Sequence, residues 1–233
     1  MALVAAAVCP HPPLLVPGVG AGASGELDGL RAACDAAVAG LAAAQPDLVV
    51  AVGAAPVLGP APAGAWGSLA GYGVRVPVGE GAGDATLPLS LTVARWLLDR
   101  AASAAPALLF GVEPDAAPER CRTVGEALAD RAARVALLAM GDGSARRSPK
   151  GPAPPDPDAE PFDTTVESAM GAADPAALLA LDPARAERLL AAGRASWQVL
   201  AGAAGDGAFA GEVGWSGAPY GVTYLVASWR AVS

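Results

Sequence analysis

The one histidine of this 233-residue chain, His11, is the side chain best placed for acid–base or metal chemistry. It comes directly after an apolar run at residues 2–9, which ends at Pro10 and is typical of a strand buried on both faces. Ligands of open α/β sheets bind beyond the carboxyl ends of the strands, so this position favours a functional role. A buried imidazole bonded to a backbone group is the structural alternative, and the flanking prolines fit both roles.

A second group of candidate residues follows the apolar run that ends at Met140. The backbone N–H groups of residues 141–144, with Arg146 and Arg147 beside them, could cradle an anion, whereas a solvated polar loop needs no ligand. The spacing matches neither a P-loop nor a dinucleotide-binding glycine motif, and no G-x-S-x-G nucleophile elbow occurs. Asp142 is the acid of this group that could assist His11.

The cysteines of the chain, Cys9, Cys34 and Cys121, are odd in number and lack C-x-x-C spacing, so they predict neither a disulfide framework nor a zinc site. Cys9 lies two positions before His11, which would put both side chains on one face of a continuous strand. A thiol–imidazole dyad and an inert, buried cysteine are the two interpretations. A reducing cytoplasm is the expected compartment.

The composition excludes two classes of partner. Fifteen Lys and Arg residues against 23 Asp and Glu give a net charge of −8, and an anion is repelled by nucleic acid and by acidic membranes. Hydrophobic residues make up 53% of the chain and charged residues 16%, which argues against disorder. Prolines interrupt every long apolar stretch before the ~20 residues that a membrane span needs.

Apolar periodicity predicts an alternation of strands and helices. Strands are predicted at residues 2–9, 47–52, 74–78, 107–112, 135–140, 209–215 and 222–229, and helices at 26–44, 88–104, 118–134, 162–170, 175–181 and 183–203. This order predicts a single domain over residues 1–233, a three-layer α/β/α fold with a central, mostly parallel (mixed) sheet. The Pro- and Gly-rich stretch at 141–161 is expected to be a lid, a binding segment or a connector.

Several of these segments resemble one family. The opening VAAAVCPHPPLLVPGVG is similar to the N-terminal motif of the class III extradiol ring-cleavage dioxygenases, the LigB-like superfamily that includes protocatechuate 4,5-dioxygenase and the Memo-like proteins. PDLVVAVGAA, ALLAMGDGSARRS, EPFD and APYGVTYLVA resemble later motifs of that family in the same order. The resemblance implies a LigB-like form of the three-layer fold over almost the whole chain.

The resemblance also implies where the family's Fe(II) ligands, two histidines and a glutamate, would fall. His11 matches the first histidine, but Ala55 stands at the second and Gly217 at the glutamate position. Ala145, after Ser144, stands where the ring-cleaving enzymes carry their acid–base histidine. One imidazole cannot hold a labile divalent ion against water, so we predict no Fe(II), no other cofactor and no ring cleavage.

These observations lead to two main hypotheses. The first is a non-catalytic binding or scaffold protein whose pocket takes a small-molecule ligand, alone or as a homo-oligomer or partner subunit. The second is a diverged enzyme for a small-molecule substrate, with aromatic compounds as one candidate class. In it, His11 acts as general base with Cys9, Asp142 or Glu212, or Glu212, Asp142 and Asp163 rebuild a metal site. The residues predicted to line the pocket are Pro12, Gly53, Ala54, Ala55, Gly141, Ser144, Ala145, Gly217 and Tyr220.

Overall fold

The computed structural model describes residues 2–20, 25–79, 86–101 and 104–232. Its strands are β1 (Leu3–Cys9), β2 (Leu48–Ala54), β3 (Gly59–Pro60), β4 (Gly67–Ser68), β5 (Pro77–Val78), β6 (Ala107–Val112), β7 (Val135–Met140), β8 (Phe209–Gly217) and β9 (Tyr224–Ala231). Within the described ranges, seven of them form one sheet in the order β3-β6-β2-β7-β1-β9-β8. The strands β1, β2, β6 and β7 are parallel, and β3, β8 and β9 are antiparallel to their neighbours.

Helices cover both faces of this sheet. Their bounds are α1 (Asp28–Ala43), α2 (Leu89–Ala101), α3 (Pro118–Ala129), α4 (Ala159–Ala172), α5 (Pro175–Leu179), α6 (Pro183–Arg188) and α7 (Arg194–Ala204). The apolar side chains of α1 and α2 form one core with one face of the sheet, and those of α3 to α7 form a second core with the other face. The predicted three-layer α/β/α architecture with a mixed sheet is thereby confirmed.

The first two strands are parallel, as the strand–helix–strand pattern predicts, but they are not neighbours. β7 lies between them, pairing with β1 through residues such as Ala6↔Leu137 and with β2 through residues such as Val50↔Leu137. All three strands are almost completely buried, because helices cover the sheet on both sides. The apolar runs therefore predicted the strands and could not predict their order.

The helix predicted at residues 183–203 is wrong as one element, because it is broken between α6 and α7. Leu190 has a φ of 56°, a left-handed conformation that stops the α6 turn. The N–H of Ala191 bonds to the carbonyl of Ala186, and the N–H of Leu190 bonds to that of Glu187. These two bonds form a Schellman motif, the common C-terminal cap of helices, here built on leucine instead of glycine.

The other differences are smaller. The predicted strand at 74–78 is reduced to Pro77–Val78, and the segment between β2 and β5 contains the short strands β3 and β4, which were not predicted. The stretch at 141–161 ends early, because α4 begins at Ala159. Its C-terminal part is held by ion pairs between Asp158 and Arg185 at 2.5 Å and between Asp158 and Arg188 at 2.6 Å. Residues 102–103, at the end of the helix predicted over 88–104, lie outside the described residues.

No described helix combines the length and the apolar composition that crossing a membrane requires.

Candidate functional site

The topology brings His11 and Asp142 together at the carboxyl edge of the sheet. β1 and β7 are parallel neighbours, yet β1 leads to α1 on one face and β7 leads to α4 on the other. In open α/β sheets, such a divergence of connections is where ligands bind. The backbone N–H of His11 spans this divergence and donates to Oδ1 of Asp142 at 2.8 Å.

The imidazole of His11 is buried and has no hydrogen bond at one nitrogen. The residue is 8% exposed, and its Nδ1 atom finds no partner among the described residues. Oδ1 of Asp142, at 3.8 Å, is beyond hydrogen-bond distance from that nitrogen. The tyrosine that begins β9, Tyr224, is also near Asp142: burial, and then this negative charge, raise the pKa of its phenol.

Cys9 does not face His11 across a strand. β1 ends at Cys9, so the two-residue alternation does not extend to His11. The Cys9 thiol packs in the core shared with α1, where its contact with Cys34, more than burial, raises the pKa of the Cys34 thiol. The strand alternation that suggested a thiol–imidazole dyad therefore does not reach His11, and Cys9 is a buried core residue.

Most backbone N–H groups of the loop after β7 are bonded within the protein. The N–H of Gly143 donates to the carbonyl of Thr223 at 2.7 Å, and the N–H of Ala145 donates to that of Leu189 at 3.0 Å. The other N–H donors of the segment that the structure shows bonded are those of Gly141, Ser144, Arg146 and Arg147. These bonds tie the loop to β1, to α4 and to the residues just after α6 and just before β9. Three of the four N–H groups of residues 141–144 are therefore not available to an anion.

Asp163, on α4, is the buried acid at the centre of this loop structure. It is 5% exposed and accepts from the backbone N–H of Ser144 at 2.8 Å and from the hydroxyl of Thr223 at 2.6 Å. The guanidinium of Arg147 lies 3.5 Å from its second oxygen. Burial raises the pKa of the Asp163 carboxyl, and these donors oppose that effect.

The residues that the resemblance places at metal-ligand positions do not fit an iron ion. Ala55 and Gly217 have no side-chain atom that can bind a metal, and Ala145 is buried with its N–H bonded to the loop after α6. Asp142 is occupied by the N–H of His11. Among the described residues, no group of three His, Cys, Asp or Glu side chains is placed to hold a metal ion. Glu212 lies on the exposed face of β8 and is not grouped with Asp142 or Asp163.

The residues predicted to line a pocket are spread along the carboxyl edge. Pro12, Gly53, Gly141 and Ser144 are buried in backbone packing, and the hydroxyl of Tyr220 donates to Glu26 at 2.8 Å. Ala54 receives a hydrogen bond from Ser90 at its carbonyl. Among the nine predicted positions, Ala55 is the one that lines any of the three cavities described next.

Two sizeable cavities flank the end of β6. One, of about 380 Å³, is an apolar hollow between Ala55, the loop at 56–62 and Leu91. The other, of about 530 Å³, lies between the segment after β6 and the α6–α7 connection. A third space, next to Asp163 and Thr223, holds only about 10 Å³.

The larger cavity was missed in the sequence because its walls come from segments about 70 residues apart. Pro114 and Asp115 follow β6, whereas Glu187, Leu190 and Arg194 belong to a stretch that looks like one continuous helix. Gly193 was the one local signal of a break, since glycine is common where helices end.

No family model matches the chain, and no curated protein matches it. Among solved structures, the chain is similar to the uncharacterized protein JW3007 from Escherichia coli K12. The two chains are 14% identical, the alignment covers 97% of this chain and 99% of that chain, and the TM-score is 0.48. The resemblance to extradiol dioxygenases stays a prediction.

Proposed function

We propose that this chain is a LigB-like protein that does not use Fe(II) to cleave aromatic rings and that acts as a non-catalytic binding or scaffold protein. One observation carries the proposal. At the carboxyl edge the carboxylates of Asp142 and Asp163 bind backbone N–H groups of the loops around them, while Ala55 and Gly217 supply no donors. The polar groups at the carboxyl edge of the sheet therefore hold the surrounding loops together.

Iron chemistry of this family type needs several ligands acting together. A facial triad of two histidines and a carboxylate holds Fe(II) and leaves positions open for substrate and oxygen. Here His11 is the one nitrogen donor, and turning Asp142 toward a metal would leave the N–H of His11 unpaired in a buried place. A binding role needs no such rearrangement, because the two cavities beside β6 already exist.

The test is a comparison of wild type with His11→Ala, both purified without a metal-binding tag. Each protein is incubated with Fe(II) under anaerobic conditions, desalted, and assayed for bound iron and for oxygen uptake with protocatechuate. We expect the same trace of iron in both proteins and no oxygen uptake in either. Stoichiometric iron with turnover in the wild type, lost in His11→Ala, would reject the proposal.

One observation favours a second candidate, an enzyme in which His11 is a general base. A buried nitrogen without a partner, 3.8 Å from a carboxylate, is the type of group that abstracts protons. His11 lines none of the three described cavities, which counts against it. A screen of ester, lactone and phenolic substrates in the presence of a chelator separates the two candidates: turnover that His11→Gln abolishes would establish the enzyme.

A further inference from the structure

The 530 Å³ cavity has the size and the wall composition of a small-molecule site. Most of its wall is apolar, and its polar groups are few. Its lining residues are Pro114, Asp115, Pro183, Ala184, Ala186, Glu187, Leu190, Ala191, Ala192 and Arg194. It lies beyond the carboxyl end of β6, on the side of the sheet covered by α3 and α7.

A strained, exposed leucine forms part of the wall. Leu190 is 46% exposed although it is a large apolar side chain, and it occupies the left-handed position at which glycine is favoured. The left-handed conformation destabilises the fold, and a side chain that stays largely exposed adds little stability through burial. Folding alone therefore does not explain a leucine there. Contact with an apolar ligand in the cavity supplies a reason.

The one cation among the lining residues is already bonded within the protein. Arg194 is 2% exposed, and its guanidinium donates to the carbonyls of Ala116 and Pro114 and, at 2.9 Å, to the side chain of Gln198. These bonds hold the segment after β6 against α7. An anionic ligand would have to break them to reach the positive charge.

The two acidic residues that line the cavity are exposed to solvent. Asp115 and Glu187 make no hydrogen bond or ion pair through their carboxylates with the described residues. Asp115 interacts electrostatically with Arg194, and the two cations of α6, Arg185 and Arg188, are paired with Asp156 and Asp158. Glu187 is therefore the carboxylate of this wall that has no ion-pair partner among the described residues. A positive group on a ligand would therefore meet uncompensated negative charge here.

We propose that this cavity binds a cationic amphipathic small molecule, with its apolar body against Leu190 and the proline and alanine wall and its ammonium group at Glu187. The assignment rests on the binding role proposed above and names its site and ligand class. Failure of one proposal can be told from failure of the other. Iron loading and oxygen uptake test the proposed function, and amine binding tests the ligand class of the cavity.

Three indole compounds that differ in charge test the ligand class. Tryptamine is a cation, tryptophol is neutral and indole-3-propionate is an anion, and their apolar bodies are nearly the same. Isothermal titration calorimetry on the full chain should give an affinity for tryptamine about fivefold above that for tryptophol, with the anion weakest. Equal affinities for the three compounds, no binding of any of them, or strongest binding of indole-3-propionate would overturn the proposal.

Matched variants test the site. Glu187→Gln should remove the preference for tryptamine over tryptophol, whereas Glu212→Gln, an exposed change on β8, should leave it unchanged. Ala184→Trp should fill the cavity and abolish binding of both compounds, whereas Ala210→Trp, also exposed on β8, should not. All four positions are exposed, and thermal unfolding of each variant checks that it is folded. Retained discrimination in Glu187→Gln would overturn the assignment of the ammonium to that residue.

Discussion

The backbone N–H of His11 bonds to Oδ1 of Asp142 over 2.8 Å and joins the ends of two neighbouring parallel strands, β1 and β7. The two residues are 131 positions apart in the chain. Their bond spans the place where the connections of the sheet diverge to opposite faces, which is where open α/β sheets offer a crevice to ligands. In this chain that place is bridged by the protein's own groups.

Removal of the Asp142 carboxylate should destabilise the fold, because the backbone N–H of His11 loses its hydrogen-bond acceptor. In Asp142→Ala the buried N–H of His11 has no acceptor, which costs about 1 to 3 kcal/mol of unfolding free energy. Asp142→Asn keeps an oxygen at that position and should lose less. Urea unfolding of the wild type and both variants measures the difference, and equal losses in the two variants would show that the hydrogen bond does not matter.

Asp163 should make stability depend on pH in a distinctive direction. Burial raises the pKa of its carboxyl above the ordinary value of 3.8, so the folded state keeps the proton at pH values where the unfolded chain has lost it. Its stabilising contribution is therefore complete below pH 3.8 and is lost as pH rises through the raised pKa. The free energy of unfolding of Asp163→Asn, minus that of the wild type, should rise with pH across this window.

A separate change at the same residue measures its hydrogen bonds. In Asp163→Ala, the N–H of Ser144 and the hydroxyl of Thr223 lose their acceptor, and the guanidinium of Arg147 keeps only its ion pair with Glu160. We expect a loss of at least about 3 kcal/mol, more than for Asp163→Asn at every pH. If the unfolding free energy of Asp163→Asn, minus that of the wild type, falls with pH, the hydrogen-bond donors lower the pKa of Asp163 more than burial raises it.

Leu190→Gly should raise stability and weaken ligand binding together. Glycine adopts the left-handed conformation of the α6 cap without strain, which should add about 0.5 to 1 kcal/mol to the unfolding free energy. Loss of the side chain removes an apolar part of the cavity wall, so tryptamine should bind more weakly. Leu190→Ala is the control, because it also removes the side chain but keeps the strain; a gain in stability in both variants would contradict the strain argument.

All three cysteines should be unreactive in the folded protein. Cys9, Cys34 and Cys121 are completely buried, and burial raises the pKa of the Cys121 thiol, so little thiolate is available. Ellman's reagent should detect no thiol in the native state and all three thiols in guanidinium chloride. Asp206→Cys, an exposed change after α7, should add one thiol that reacts at once. Rapid reaction of a wild-type cysteine without denaturant would show that the core around it opens.

The strands and most helices could be predicted because their signals are local. The apolar runs at 107–112 and 135–140 are the observed β6 and β7. Asp182 caps α6 by accepting a hydrogen bond from the N–H of Arg185, as its position before Pro183 indicates. The break at Leu190 could not be predicted, since leucine rarely adopts a left-handed conformation and only the surrounding packing holds it there.

The sequence by itself determined the layers of the fold and the lack of ligand atoms at Ala55 and Gly217, because both follow from the identity of residues along short segments. The tertiary structure decided the strand order, the partners of Asp142 and Asp163 and the existence of the cavity at Glu187. Each of these depends on which distant segments meet. Contacts between distant segments are determined by the packing of the whole chain, so no local pattern of residue types predicts them.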